Sequence, residues 1–252
     1  MALNKKQARF RSDRASDLHQ LAEVLEKIEI PVYQIREAAN ELTNFERTRK
    51  CSQKSKVDYS VWGYTIESLE IPLKSSPRHV RPLNLAGMSV TLSINLTASC
   101  DDWGTMCDPL QTLEFNIVIT GISKEGSKHR ICYHIDRHLD SDSEEAHPAY
   151  HFHFGGEKME FDTIELGNTI FLNAPRLIFY PVDIILGLDF VFSNFFPCFR
   201  EKLLNDHTYN SLITKYYKTL VKPFAHALAS QWKPYDHHSI QWEPELIFPQ
   251  LG

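Results

Sequence analysis

The chain has 252 residues, of which 42% are hydrophobic and 23% charged, enough apolar sequence for a substantial core. That composition excludes a collagen-like, disordered or coiled-coil organisation for the chain as a whole. Lys and Arg number 27 against 32 Asp and Glu, a net charge of −5, so no global basic field points to nucleic acid.

The first element reads as a helix. Leu18, Leu21, Ala22, Leu25 and Ile28 form one stripe at helical spacing, and Pro31 ends it. Val32, Ile35, Ala39, Leu42 and Phe45 continue with a second helix, which dissolves into the basic run Arg47, Arg49, Lys50, Lys54 and Lys56. Those cations fit either a solvated helix end at the negative pole of the helix dipole or a phosphate-binding patch for nucleic acid. Residues 1–56 are therefore read as an N-terminal helical segment, and 57–252 as an α+β body that forms one compact unit with it.

From residue 57 to about 173 the hydrophobic period becomes two. Met88, Val90, Leu92, Ile94 and Leu96 alternate with Ser89, Thr91, Ser93, Asn95 and Thr97. Leu113, Phe115, Ile117 and Ile119 oppose Glu114, Asn116 and Thr120, and the segment Gly121 to Lys128 supplies a turn. Ile131, Tyr133 and Ile135 repeat the pattern, as do Tyr150, Phe152 and Phe154. Consecutive strands without helices between them predict an antiparallel meander of five or six strands.

Residues 174–252 return to helices and a tail. Pro181 suits a first helical turn, and Val182 to Phe196 is apolar nearly all round, as for a helix buried against the sheet. Asn205 or Asp206 can cap a helix carrying Tyr209, Leu212, Ile213, Tyr216 and Leu220. Pro223 is expected to separate it from a last helix around Phe224 to Trp232. The fold class is α+β: an N-terminal helical pair, a central antiparallel meander, and C-terminal helices packed on the sheet.

The chemistry-bearing residues concentrate in the sheet. Six of the 12 histidines lie between His129 and His153. Side chains two apart on a strand share a face, so His134 and Asp136 point together, as do His151 and His153. If the two strands pair as a hairpin across Arg137 to Ala149, three imidazoles and one carboxylate converge. Two chemistries fit such a set: chelation of a divalent metal such as zinc, manganese or iron, or a general acid and base for cleaving a phosphodiester. A His-rich solvated strand face with no function is the alternative. The chain has no H-E-x-x-H, no G-x-S-x-G and no phosphate-loop motif, which removes sequence support for zincin, α/β-hydrolase and nucleoside-triphosphatase readings.

Asp183 and Asp189 interrupt the apolar C-terminal helix, and Gly187 between them would admit another element closely. Asp183 reads either as a carboxylate favoured by the helix dipole or as a base facing the histidine hairpin, and Asp189 as a buried acid paired with Arg or Lys. The loop Ser99 to Asp108 holds Cys100, Cys107 and three acids. It lacks two further soft ligands for zinc and reads as an exposed turn with Trp103 packed down. Five cysteines, odd in number and without a C-x-x-C pair, argue against a disulfide framework. The start, Met1 to Arg14, is basic and lacks an apolar stretch, and no later segment is long and apolar enough for a bilayer. A cytoplasmic protein with reduced thiols and no membrane contact is expected.

The order HPxxHxHxGG (His147 to Gly156), PRL (Pro175 to Leu177), PVD with DFVFSNFF (Pro181 to Phe196) and SQWKPY (Ser230 to Tyr235) resembles a family of uncharacterised prokaryotic proteins of unknown function. The resemblance covers about the C-terminal half. Some such proteins are encoded among antiviral defence genes, which implies a defence-system setting but transfers no activity and no catalytic residue. Two functions are thus expected. One is a non-enzymatic accessory protein that binds another protein of a multi-protein system. The other is a hydrolase, a nuclease above all, working through His134, Asp136, His151 and His153 by metal or by proton transfer.

Overall fold

The computed structural model describes residues 5–49, 60–73, 85–138, 148–155 and 177–229. Two helices, α1 (Lys5–Glu26) and α2 (Tyr33–Arg49), lead into six strands: β1 (Val61–Leu73), β2 (Leu85–Ser99), β3 (Leu110–Ser123), β4 (Lys128–Arg137), β5 (Tyr150–Phe154) and β6 (Leu177–Ile178). Helices α3 (Ile184–Phe195), α4 (Pro197–Leu204), α5 (His207–Tyr216) and α6 (Lys222–Ala229) complete the described chain. None of the described helices is long and apolar enough to cross a membrane. Lys50, Lys54 and Lys56 lie outside the described residues. Arg47 and Arg49 fall on the last turn of α2.

The strands pair antiparallel in chain order, β1-β2-β3-β4-β5-β6, the expected meander. Its apolar face is set by alternation: Val90, Leu92, Ile94 and Leu96 of β2, Leu113, Phe115 and Ile117 of β3, and Ile135 of β4 are all buried. In β1 the parity changes halfway. Trp62, Tyr64 and Ile66 face inward, then a β-bulge between Ile66 and Leu69 inserts one extra residue, and Leu69 and Ile71 face inward instead. The bulge leaves Glu67 and Ser68 exposed, which, with Pro72, discourages pairing along this edge.

The β3–β4 turn sets the register on which the candidate site depends. Gly126 adopts φ 87°, a left-handed conformation that glycine reaches without strain, and its N–H donates to the Ser123 carbonyl at 2.9 Å. This closure aligns Asn116 with His134 and Glu114 with Asp136.

Helix α3 lies on the apolar face, where Gly187 meets the Phe115 ring. A Cβ at position 187 would sit 2.6 Å from Phe115 Cζ. Phe115 is fully buried and has little room to yield. We expect Gly187→Ala to destabilise the fold by ~1–3 kcal/mol through overpacking, despite a helix-propensity gain of ~1 kcal/mol; urea unfolding checks this, and a more stable variant would contradict the contact.

The C-terminal helices depart from expectation in three places. Pro181 precedes the first helical turn rather than occupying it, because Asp183 is the N-cap: its side chain accepts from the N–H groups of Ile185 and Leu186 at 3.1 and 3.0 Å. The short helix α4 intervenes before α5, with Pro197 at its start, where a missing N–H costs nothing. Pro223 does not break the chain into separate helices. A π-helical turn over Tyr217–Val221 joins α5 to α6, its wider i→i+5 bonding carrying the backbone past a proline that can neither donate nor tolerate the carbonyl of an α-turn. Asp206 caps α5 as expected and also pairs with Lys27 at 2.7 Å.

The N-terminal pair is welded to this body through a buried polar junction. Asp17 of α1, 6% exposed, accepts from Lys215 Nζ at 2.7 and 2.8 Å, from the Tyr216 hydroxyl at 2.9 Å, and lies 3.1 Å from Arg14. The Arg14 guanidinium sits over the rings of Phe10, Trp103 and Tyr216 at 5.4, 5.7 and 5.6 Å. Trp103 also contacts Trp62 at 4.9 Å, so the Ser99–Asp108 loop is anchored by its tryptophan as expected. Among the described residues, Cys100, Cys107, Cys132 and Cys198 form no disulfide.

Candidate acid–base site

The polar face of the sheet carries the histidine cluster. Alternation turns Ser93 of β2, Glu114 and Asn116 of β3, His134 and Asp136 of β4, and His151 and His153 of β5 away from the helices. The antiparallel register then sets His134 opposite His153 and Asp136 opposite His151. All four expected residues therefore meet. Their sequence separation is spanned by the β4–β5 connection, where the His138 N–H donates to the Ala149 carbonyl at 2.9 Å.

Asp136 is the centre of the cluster. One carboxylate oxygen lies 2.7 Å from Nε2 of His134 and the other 2.7 Å from Nε2 of His151. Burial opposes ionisation of Asp136, but the His134 hydrogen bond and the charges of His134, His151 and His153 together outweigh it, leaving its pKa below the usual carboxylate range. The other nitrogens of these two rings face fixed acceptors: Nδ1 of His134 stands 2.6 Å from Asn116 Oδ1, and Nδ1 of His151 stands 3.1 Å from the Pro148 carbonyl. His153 meets the other two rings edge-on, 4.8 Å from His134 and 5.6 Å from His151 between centroids.

His151 is 1% exposed, whereas His134 and Asp136 retain 18% and 20%. His153 is half-buried beside them. Tetrahedral zinc with ~2.0 Å bonds would hold its ligand atoms about 3.3 Å apart, more than the 2.7 Å found between carboxylate and ring nitrogen. Among the described residues, no three His, Cys, Asp or Glu side chains are arranged to hold a metal ion. The arrangement favours proton transfer over chelation.

Asp183 does not serve this site. It lies beneath the opposite, apolar face at the start of α3, where the Ile184 N–H also donates to the Tyr64 hydroxyl at 3.1 Å. Burial, only partly offset by the Leu186 N–H, pushes its pKa up to about 7. Because that value lies above the ordinary 3.8, the stability linked to Asp183 is complete below pH ~4 and is lost as pH rises through 7. Asparagine caps helices as well as aspartate and carries no charge. We expect Asp183→Asn to match the wild type near pH 4 and to exceed it by ~2–4 kcal/mol above pH 8, at ~1.4 kcal/mol per pKa unit, in urea unfolding across that range. Asp189, expected to pair with a cation, instead accepts from the Tyr209 hydroxyl at 3.0 Å; burial raises its pKa, moderated by that bond and by the charge of Arg200.

Sequence reasoning missed the support beneath His134. Asn116 is 5% exposed, and its amide nitrogen donates to Glu114 Oε1 at 3.1 Å and to Ser93 Oγ at 3.3 Å. Strand alternation puts Asn116 and Glu114 on the polar face. Only the register brings them to the histidine. His147, also in the histidine-rich stretch, lies outside the described residues, as do Ser230 to Tyr235.

No family model matches the chain, and no curated protein or solved structure matches it either. The functional reading therefore rests on the chemistry of these residues.

Proposed function

We propose that the polar-face cluster is a general acid–base centre that cleaves phosphodiesters carrying a neighbouring hydroxyl, as RNA does. The observation that carries this reading is the meeting of three imidazoles around one carboxylate, with each oxygen of Asp136 held 2.7 Å from a ring nitrogen. Such a set moves protons, and RNA supplies its own nucleophile in the 2′-hydroxyl. His153 takes the 2′-hydroxyl proton as that oxygen attacks phosphorus. The bond from phosphorus to the 5′-oxygen breaks, and the His153 ring passes that proton on to the departing oxygen. The products are a 2′,3′-cyclic phosphate and a 5′-hydroxyl, with no change of oxidation state. Asp136, held between His134 and His151, stabilises the charged His153 ring.

The test is cleavage of a fluorogenic RNA oligonucleotide against its all-deoxy counterpart, each with and without chelator. Cleavage of RNA alone, unaffected by chelator and ending in a cyclic phosphate, supports the reading. No cleavage, or equal cleavage of DNA, overturns it.

A second reading has its own observation. Leu177 and Ile178 of the two-residue strand β6, with Phe154 of β5, are 61%, 56% and 47% exposed, an apolar group at the sheet margin of the kind that engages another protein. We propose the accessory-protein function on this basis, with the basic residues Arg47, Arg49, Lys50, Lys54 and Lys56 as its nucleic-acid contact and defence against viruses as its setting. Co-purification at native expression levels, lost on Leu177→Lys with Ile178→Lys, supports it; a protein recovered without partners counts against it.

A further inference from the structure

We propose that the exposed face of α5 and of the π-helical turn after it binds the phosphodiester backbone of a nucleic acid strand, with Lys215 and Lys218 as its cations. A groove of about 590 Å³ runs along this face. Among the described residues, His207, Lys215 and Lys218 line it together with the hydroxyls of Ser211, Thr214 and Thr219. The stripe lies opposite Tyr209, Leu212, Ile213 and Tyr216, which are buried in the core, so helical geometry turns it to solvent. The charge here is local and one-sided: His207 to Ala229 holds three lysines, two histidines and no aspartate or glutamate, in a chain of net charge −5. Helix α5 packs on α1 and α3, on the apolar side of the sheet, so this site is separate from the histidine cluster and does not rest on its being catalytic.

Two ordinary accounts of these lysines do not hold. Cations at a helix C-terminus answer its dipole, but the π-helical turn runs α5 on into α6, so Lys215 and Lys218 stand in the middle of a continuous helix. Lysines on a solvated face pair with acids four residues away, but those positions are Ser211 and Thr219 for Lys215, and Thr214 and Lys222 for Lys218. The carboxylate that holds Lys215 comes instead from α1: Asp17 accepts from its ammonium at 2.7 and 2.8 Å, which fixes the charge at the groove wall. Arg14 shares that carboxylate at 3.1 Å, so the group keeps a net positive charge. The π-helical turn itself supplies Lys218 and Thr219, and such turns recur at functional sites. The described lining has no ring on which a base could stack and no apolar side chain to enter a bilayer, which leaves backbone phosphates as the partners of its ammonium and hydroxyl groups. At 1.5 Å per residue the wall from His207 to Lys218 is about 16 Å long, room for several phosphates spaced about 3.4 Å along a stacked strand.

The test is fluorescence anisotropy of the full chain with labelled oligodeoxythymidylate and oligodeoxyadenylate of about twenty nucleotides. Neither probe carries a 2′-hydroxyl, so binding is read apart from the cleavage proposed above, and failure of one leaves the other to its own experiment. The two should bind alike, within about threefold, because nothing in the groove stacks on or reads a base. With two lysines engaged, the logarithm of the association constant should fall with the logarithm of salt with a slope of about −1.4, at about −0.7 for each phosphate neutralised on a single strand. Lys218→Gln should weaken both probes about three- to tenfold and flatten the slope by about 0.7, and Ser211→Glu, which adds an acid to the wall, should weaken them as well. Lys124→Gln, at an exposed position of the β3–β4 turn outside the groove, should change neither. Inorganic phosphate should displace the probes no better than chloride at equal ionic strength. Absence of binding at low salt, binding indifferent to both Lys218→Gln and Ser211→Glu, or an equal loss in Lys124→Gln would overturn the proposal. So would displacement by micromolar phosphate, the mark of a site for a single anion, or binding to phosphatidylserine vesicles but not to the oligonucleotides.

Discussion

Replacing Asp17 with alanine should cost ~3–5 kcal/mol of folding free energy, the effect of stripping one partner from a buried ion pair. Asp17 is 6% exposed and Arg14 9%, so the arginine would be left charged, desolvated and without its carboxylate. The rings of Phe10, Trp103 and Tyr216 around the guanidinium supply attraction but no compensating charge. The Tyr216 hydroxyl and Lys215 ammonium would lose their acceptor as well. The comparison variant is Lys215→Met. Lys215 is 42% exposed, so its loss should cost no more than ~1 kcal/mol, in the range of solvent-screened pairs. Urea unfolding measures both, and equal effects of the two variants would contradict a desolvated Arg14–Asp17 pair. Because Asp17 ties α1 to the α5 end, hydrogen exchange should accelerate first in α1.

Replacing His153 with alanine should lower RNA cleavage by ~10²–10⁴-fold while leaving stability within ~1 kcal/mol, since a proton-transfer group at a partly exposed position contributes to the transition state more than to the fold. His134→Ala should lower it as well, because His134 holds the Asp136 carboxylate that stabilises the charged His153 ring. The double variant should then lose far less than the product of the two single losses, as expected of groups that work as a unit. His151→Ala should behave differently: it empties a fully buried site against Asp136, so its loss of activity should come with a measurable loss of stability. Single-turnover cleavage and thermal unfolding of the same preparations separate these cases. A His153→Ala variant with unchanged cleavage would sink the proposed centre.

Much of the site was legible before any coordinates, for a local reason. The spacings His134–Asp136 and His151–His153 fix which side chains share a strand face, because alternation is a property of the extended backbone itself. Asn116 and Glu114 were legible only as residues of the polar face. Their link to His134 depends on pairing across the β3–β4 turn, and a slip of one residue would have turned them away. The same limit explains Asp183. Its neighbours in sequence were as compatible with a histidine partner as with a helix cap, and packing of α3 on the apolar face put the whole sheet between it and His134. The π-helical passage at Pro223 was hidden because proline normally ends a helix, and only the joint packing of Tyr216, Tyr217, Leu220 and Val221 in the core keeps the axis continuous.

What the amino-acid order determined alone was the set of local periods: 3.6 at both ends, two in the middle, and hence a helical pair, a meander and covering helices. Those follow from side-chain geometry within a few residues. Tertiary structure decided which side chains from separate strands share a proton network, which acid caps a helix, and which cation is buried against a carboxylate. Each of these depends on contacts between residues far apart in the chain, where distance and desolvation, set by packing, fix the energy.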